Sequence, residues 1–60
     1  MKKKEEVLEL IRRRTHQKRC TMPDIIQREL RLRDKELEYI LRELHRERAI
    51  SLKEGGWMAG

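Results

Sequence analysis

Lys35, Tyr39, Arg42 and Arg46 carry the clearest chemistry in this chain. Their spacing of i, i+4, i+7 and i+11 puts them on one ridge of an α-helix, which advances about 100° per residue. Three cations and a phenol on one ridge donate hydrogen bonds and present one aromatic face. Phosphate oxygens and the acceptor-rich edges of base pairs take such contacts. Arg42 is the best base reader of the four, because a guanidinium pairs bidentately with guanine O6 and N7. Lys35 and Arg46 suit phosphate, and Tyr39 suits a thymine methyl or a phosphate. Glu38 stands beside the ridge, where a carboxylate repels phosphate but accepts a hydrogen bond from cytosine. The competing reading is a solvated face held by Glu38–Arg42 and Glu43–Arg46 pairs, each worth only about 0.2–0.5 kcal/mol.

The element that must position this ridge is a helix over 34–48. Leu37, Ile40, Leu41 and Leu44 fall within one apolar arc opposite the ridge, and that arc must face a core. Glu36, Glu43 and Glu47 gather on one flank, and Glu38 sits with His45 on the other. Arg33, just ahead of the helix, joins the candidate contacts. A helix that is apolar on one side and basic on the other can pack on a small domain while entering an anionic groove.

The rest of the chain reads as support for that helix. A first helix is predicted over 3–14, with Val7, Leu8 and Ile11 at helical spacing and Leu10 alongside. Glu5 and Glu6 suit its positive end and Arg12, Arg13 and Arg14 its negative end. The arginines are either a solvated helix end or a phosphate-contacting patch. Residues 15–20 read as a basic connector, with a short extended piece over 19–21. Thr21 is predicted to cap a second helix over 22–30, with Asp24 reaching back and Pro23 in the first turn. Leu32 in the next connection demands burial, and Asp34 is predicted to cap the third helix. From residue 49 to 59 the pattern becomes a hairpin: Ile50 to Lys53 alternates apolar and polar, Glu54 to Gly56 supplies a turn, and Trp57 to Ala59 returns. Lys53 and Trp57 flank that turn. Both are candidate contacts, although the only tryptophan of so small a domain is also needed to cover the core edge.

Composition bounds the function. Sixty residues permit one domain, taken here as 1–60, and a chain this short buries only about 60% of the surface its unfolded form exposes. With 45% charged residues and 3% aromatic, there is little from which to build an enzyme's shells or a small-molecule pocket. A net charge of +5 and a sequence pI near 9.9 favour an anionic partner. The single cysteine, Cys20, excludes an internal disulfide and is expected as a small buried apolar residue. His16, Cys20 and His45 match no zinc spacing, so neither metal nor cofactor is expected. No signal peptide or membrane span is recognisable, and the expected location is cytoplasmic and nucleoid-associated.

The order of elements resembles the winged helix-turn-helix family over nearly the whole chain. The segment IIQRELRLRDKELEYILRELHRERAI carries the likeness, with Ile26, Leu30, Leu32, Leu37, Leu41, Leu44 and Ile50 in the family's apolar places. Three positions depart from the usual pattern: Gln27 stands where a small alanine is frequent, and Arg31 and Arg48 stand where glycine is common. A positive φ at either arginine would cost about 1 kcal/mol relative to glycine. The resemblance implies a mainly α fold with a small β-hairpin, three helices and a wing. It further implies a double-stranded DNA-binding module in transcriptional or replication control, with the third helix in the major groove and the wing on the backbone. Weak binding by one small module implies a homodimer or a larger parent chain. The alternatives are a protein-interaction module of the same fold, which the four glutamates on the third helix would favour, and an RNA-hairpin binder. A leucine-zipper seam can also be drawn through Ile26, Leu30, Leu37, Ile40 and Leu44. Arg33 interrupts it, and Pro23 breaks the continuous helix it needs.

Overall fold

The computed structural model describes residues 2–60, and over them the chain is mainly α with a small β-hairpin. Its elements run α1 (Lys2–His16), α2 (Pro23–Leu30), α3 (Asp34–Arg46), β1 (Ile50–Lys53) and β2 (Gly56–Ala59). Separate helices on either side of residues 17–22 and a terminal hairpin exclude the continuous helix of the zipper reading.

One core joins all of these elements except β2, which lies over its edge. Val7 and Ile11 come from α1, Ile26 from α2, Leu37, Ile40, Leu41 and Leu44 from α3, and Ile50 from β1. Leu32, in the turn between α2 and α3, is only 5% exposed. Its burial lets a three-residue connection close over the core instead of looping into solvent. Leu30, Trp57 and Ala59 are half-buried against the same cluster.

The hairpin pairs Ile50 with Ala59, Ser51 with Met58, Leu52 with Trp57 and Lys53 with Gly56, leaving Glu54 and Gly55 as the turn. On its other edge β2 meets Thr21 in an antiparallel bridge. Thr21 N donates to Trp57 O, and Trp57 N to Thr21 O, each at 2.8 Å. The extended piece expected over 19–21 is thus a one-residue third strand. Two side chains at the end of α1 hold this small sheet. Thr15 Oγ1 accepts from Ala59 N at 2.9 Å, while Arg14 donates from Nε to Thr21 Oγ1 and from Nη2 to Cys20 O, both at 3.1 Å.

Both predicted helix caps are corrected. Pro23 is the first residue of α2, and a residue before proline is confined to extended backbone. Met22 therefore occupies the N-cap position, with φ −78° and ψ 149°, and Thr21 lies one residue too early to cap. Its hydroxyl, fully buried, accepts from Arg14 instead. At α3 the N-cap is Arg33, and neither helix start has a side-chain cap. Asp34 is the first residue of the helix and accepts a hydrogen bond from Gln27 Nε2. Gln27 thus ties α2 to α3. Cys20 is half-buried rather than buried, and it lies in the connector beside Gly55.

The helix ends differ from expectation for a shared reason. α1 runs two residues past Arg14, and α3 stops two residues before Arg48. Each closes on a left-handed residue that is not glycine: Lys18 (φ 60°) and Arg48 (φ 61°). Arg19 N then bonds Arg14 O at 2.9 Å, and Ala49 N bonds Leu44 O at 2.9 Å, which is the Schellman pattern. Arg31 (φ 52°) closes α2 in the same conformation. Left-handed backbone costs a β-carbon-bearing residue about 1–2 kcal/mol. Glycine relieves that strain but adds about 0.4–1 kcal/mol of unfolded-chain entropy. Arg31→Gly and Arg48→Gly are therefore each expected to stabilise the domain by about 0.5–1 kcal/mol. A rise of a few degrees in Tm would register this, and an unchanged or lowered Tm would contradict it.

Candidate nucleic-acid interface

α3 divides its surface as the helical period requires. Leu37, Ile40, Leu41 and Leu44 are buried, whereas Lys35, Tyr39, Arg42 and Arg46 are exposed on the outward ridge. Tyr39 leaves 57% of its surface in solvent, unusual for a large aromatic in a domain with only two. Lys35, Tyr39 and Arg42 line one shallow hollow together with Glu38. Arg46 lies a turn further on, 3.5 Å from Glu43. Arg33 is exposed at the start of the helix and shares a second hollow with Lys3, Asp34, Lys35 and Glu36. Lys53 is exposed at the base of the hairpin turn.

Trp57 lies off the ridge but lines one groove with Arg42. It is half-buried, packs edge-on against His45 with ring centroids 5.3 Å apart, and covers the core edge as its size demands. On its outer side a groove of about 480 Å³ runs between α2 and α3, where Pro23, Leu37, Leu41 and Trp57 are joined by polar side chains that include Gln27, Asp34, Glu38, Arg42 and His45.

The acids of α3 are engaged within the domain. Five basic and five acidic residues between Arg33 and Arg48 leave that segment neutral by itself. α1 alters the balance: Lys3 Nζ lies 2.8 Å from Glu36, and Lys4 pairs with Glu47. The first turn of α1 thus lies along one flank of α3 and brings two cations to its acids. Hydrogen bonding to Lys3 holds the Glu36 carboxyl below its ordinary range, and hydrogen bonding to Glu47 raises the Lys4 ammonium above its own. Asp34 is held by Gln27, Glu43 lies beside Arg46, and Glu38 accepts from Arg42 at 3.2 Å. Both ion pairs of the solvated-face reading are therefore present. Exposed pairs at this spacing contribute only about 0.2–0.5 kcal/mol. A bidentate guanine contact offers about 1–3 kcal/mol of discrimination, so the pair does not bar Arg42 from a base.

Two groups of residues change role. Arg14 leaves the predicted phosphate patch, because its guanidinium is spent on Thr21 and Cys20; Arg12 and Arg13 stay exposed. Lys3 and Lys4, given no role by the sequence pattern, line a cleft with Lys35, Tyr39 and Ile40. The lysine run at the start of the chain was the available signal, but only the packing of α1 on α3 tells where it goes. Among the described residues no group of three His, Cys, Asp or Glu side chains could hold a metal ion, and no helix is long and apolar enough to cross a membrane. Comparison of the chain with family models, curated proteins and solved structures gives no match.

Proposed function

We propose that this domain is a winged helix-turn-helix module that binds double-stranded DNA. α3 enters the major groove, and the hairpin, with Lys53, lies on the backbone. The observation that carries this reading is the exposed ridge of Lys35, Tyr39, Arg42 and Arg46 on a helix whose flanking acids Asp34, Glu36 and Glu47 are held by residues outside the ridge. Arg33, at the helix start, and Arg12 and Arg13, on α1, supply further phosphate contacts. A single module of this size makes few base contacts, so specific control of transcription or replication requires a homodimer or a longer parent chain.

Arg42→Ala tests the assignment of the reading face. Loss of a bidentate base contact is expected to relax preference at one position by about 1–3 kcal/mol while phosphate binding persists. Competition binding with duplexes changed at single positions reads this directly. Unaltered affinity and preference would remove Arg42 from the interface.

A second reading rests on the groove beside Trp57. Its lining mixes the apolar Pro23, Leu37, Leu41 and Trp57 with charged and polar side chains, which suits a protein segment of mixed character. Under that reading duplex DNA is not bound at any salt concentration.

A further inference from the structure

Of the four glutamates on or closing α3, Glu38 alone leaves most of its side chain in solvent on the ridge side. It is 67% exposed, against 34% for Glu36, 27% for Glu43 and 51% for Glu47. The others are turned away: Glu36 and Glu47 face the lysines of α1, and Glu43 is largely covered. Glu38 instead lines the same hollow as Lys35, Tyr39 and Arg42. An exposed carboxylate among cations that meet phosphate would only weaken binding, unless a donor awaits it.

The Glu38–Arg42 contact is a single one, from Nη2 to Oε1 at 3.2 Å. A guanidinium has five N–H donors and a carboxylate two oxygens, so both groups retain capacity for further bonds. Their backbone positions are one helical turn apart, about 6 Å along the axis. Base pairs rise by about 3.4 Å per step, so the two side chains reach bases one or two steps apart. In the major groove the cytosine amino group is a donor that suits a carboxylate. The adenine amino group stands beside the N7 acceptor, which repels one. The exposed ion pair is worth about a twofold factor in an equilibrium, whereas a bidentate contact of Arg42 with guanine is worth roughly 5- to 150-fold. The pair gives way to the bases.

We propose that Glu38 and Arg42 act as one two-position reader, Arg42 selecting guanine and Glu38 selecting a cytosine one or two steps away. The proposal rests on the DNA-binding reading and names the sequence class that reading leaves open.

The test selects preferred duplexes from a randomised pool with the wild-type protein, Glu38→Gln and Arg42→Ala. Anisotropy on singly changed duplexes then gives relative affinities. Both side chains are exposed, and thermal melting of each variant verifies the fold. The wild type is expected to choose guanine and cytosine one or two steps apart, with a loss of about tenfold when the cytosine is replaced. Glu38→Gln is expected to keep the guanine and exchange the cytosine for adenine, since an amide pairs with adenine N6 and N7. Arg42→Ala is expected to lose the guanine and keep the cytosine. If Glu38→Gln binds every duplex more tightly with unchanged base choice, Glu38 is only a repulsive charge and the proposal is overturned. Selection without a cytosine near the guanine overturns it equally. Failure of the wild type to bind any duplex at low salt would sink the DNA reading itself, an outcome separate from these.

Discussion

Gly56→Ala is expected to destabilise the domain by about 2–4 kcal/mol, the sum of a clash and a strained backbone. A β-carbon built at Gly56 would lie 2.6 Å from the carbonyl oxygen of Thr21 and 2.7 Å from its carbonyl carbon. Both are backbone atoms, held by the paired hydrogen bonds to Trp57, and they have no rotamer by which to move aside. The φ of Gly56 is +127°, a region that residues with a β-carbon rarely adopt. The two effects compound, because relaxing the backbone toward ordinary φ pulls β2 off Thr21, and retaining the pairing keeps the clash. A chain of this length has about 3–9 kcal/mol of stability in total, so the loss takes a large fraction of it. The melting temperature should fall by roughly 10–30 °C. Gly55→Ala is the control: its added carbon meets Cys20 at 3.4 Å, an ordinary contact, and its φ is not in the positive region. Thermal unfolding followed by circular dichroism separates the two adjacent glycines. A Gly56→Ala protein melting within two or three degrees of the parent, an interval below about 1 kcal/mol, would show that the sheet does not need this close approach.

How much of this was legible in the sequence depends on the range of the interaction that decides each feature. The buried arc of α3 is a local periodicity, and all four of its residues are in the core. The hairpin, the extended residue before α2 and the burial of Leu32 also follow from local pattern. The ends of α1 and α3 do not, because the usual marker of a left-handed helix terminus is glycine, and here Lys18 and Arg48 take that conformation. Thr21 has the residue type that favours capping, but Pro23 fixes the cap geometry one residue later, at Met22. The ridge of Lys35, Tyr39, Arg42 and Arg46 was visible as spacing. Its electrostatic setting was not, since Lys3 reaches Glu36 and Lys4 reaches Glu47 across more than thirty residues of chain. Arg14 illustrates the same limit from the opposite side. In sequence it belongs to a basic run, and in the fold it is the one member of that run turned inward to hold a strand.

If this domain binds duplex DNA through the exposed ridge and its basic surroundings, its affinity must fall steeply with salt. Arg12, Arg13, Arg33, Lys35, Arg46 and Lys53 are the candidate phosphate contacts, and about four to six neutralised phosphates release their counterions with a log–log slope of roughly −4 to −5. Between about 50 and 200 mM salt, affinity for a random duplex should therefore fall by a factor on the order of 10² to 10³. Fluorescence anisotropy of a labelled duplex gives the constants, and the emission of Trp57 reports whether the groove side of α3 senses the bound duplex. A steep, linear dependence is the expected result. Failure to bind duplex DNA at about 50 mM salt, or an affinity indifferent to salt, would remove DNA as the partner of this surface, because phosphate contact without counterion release is not available to a basic surface.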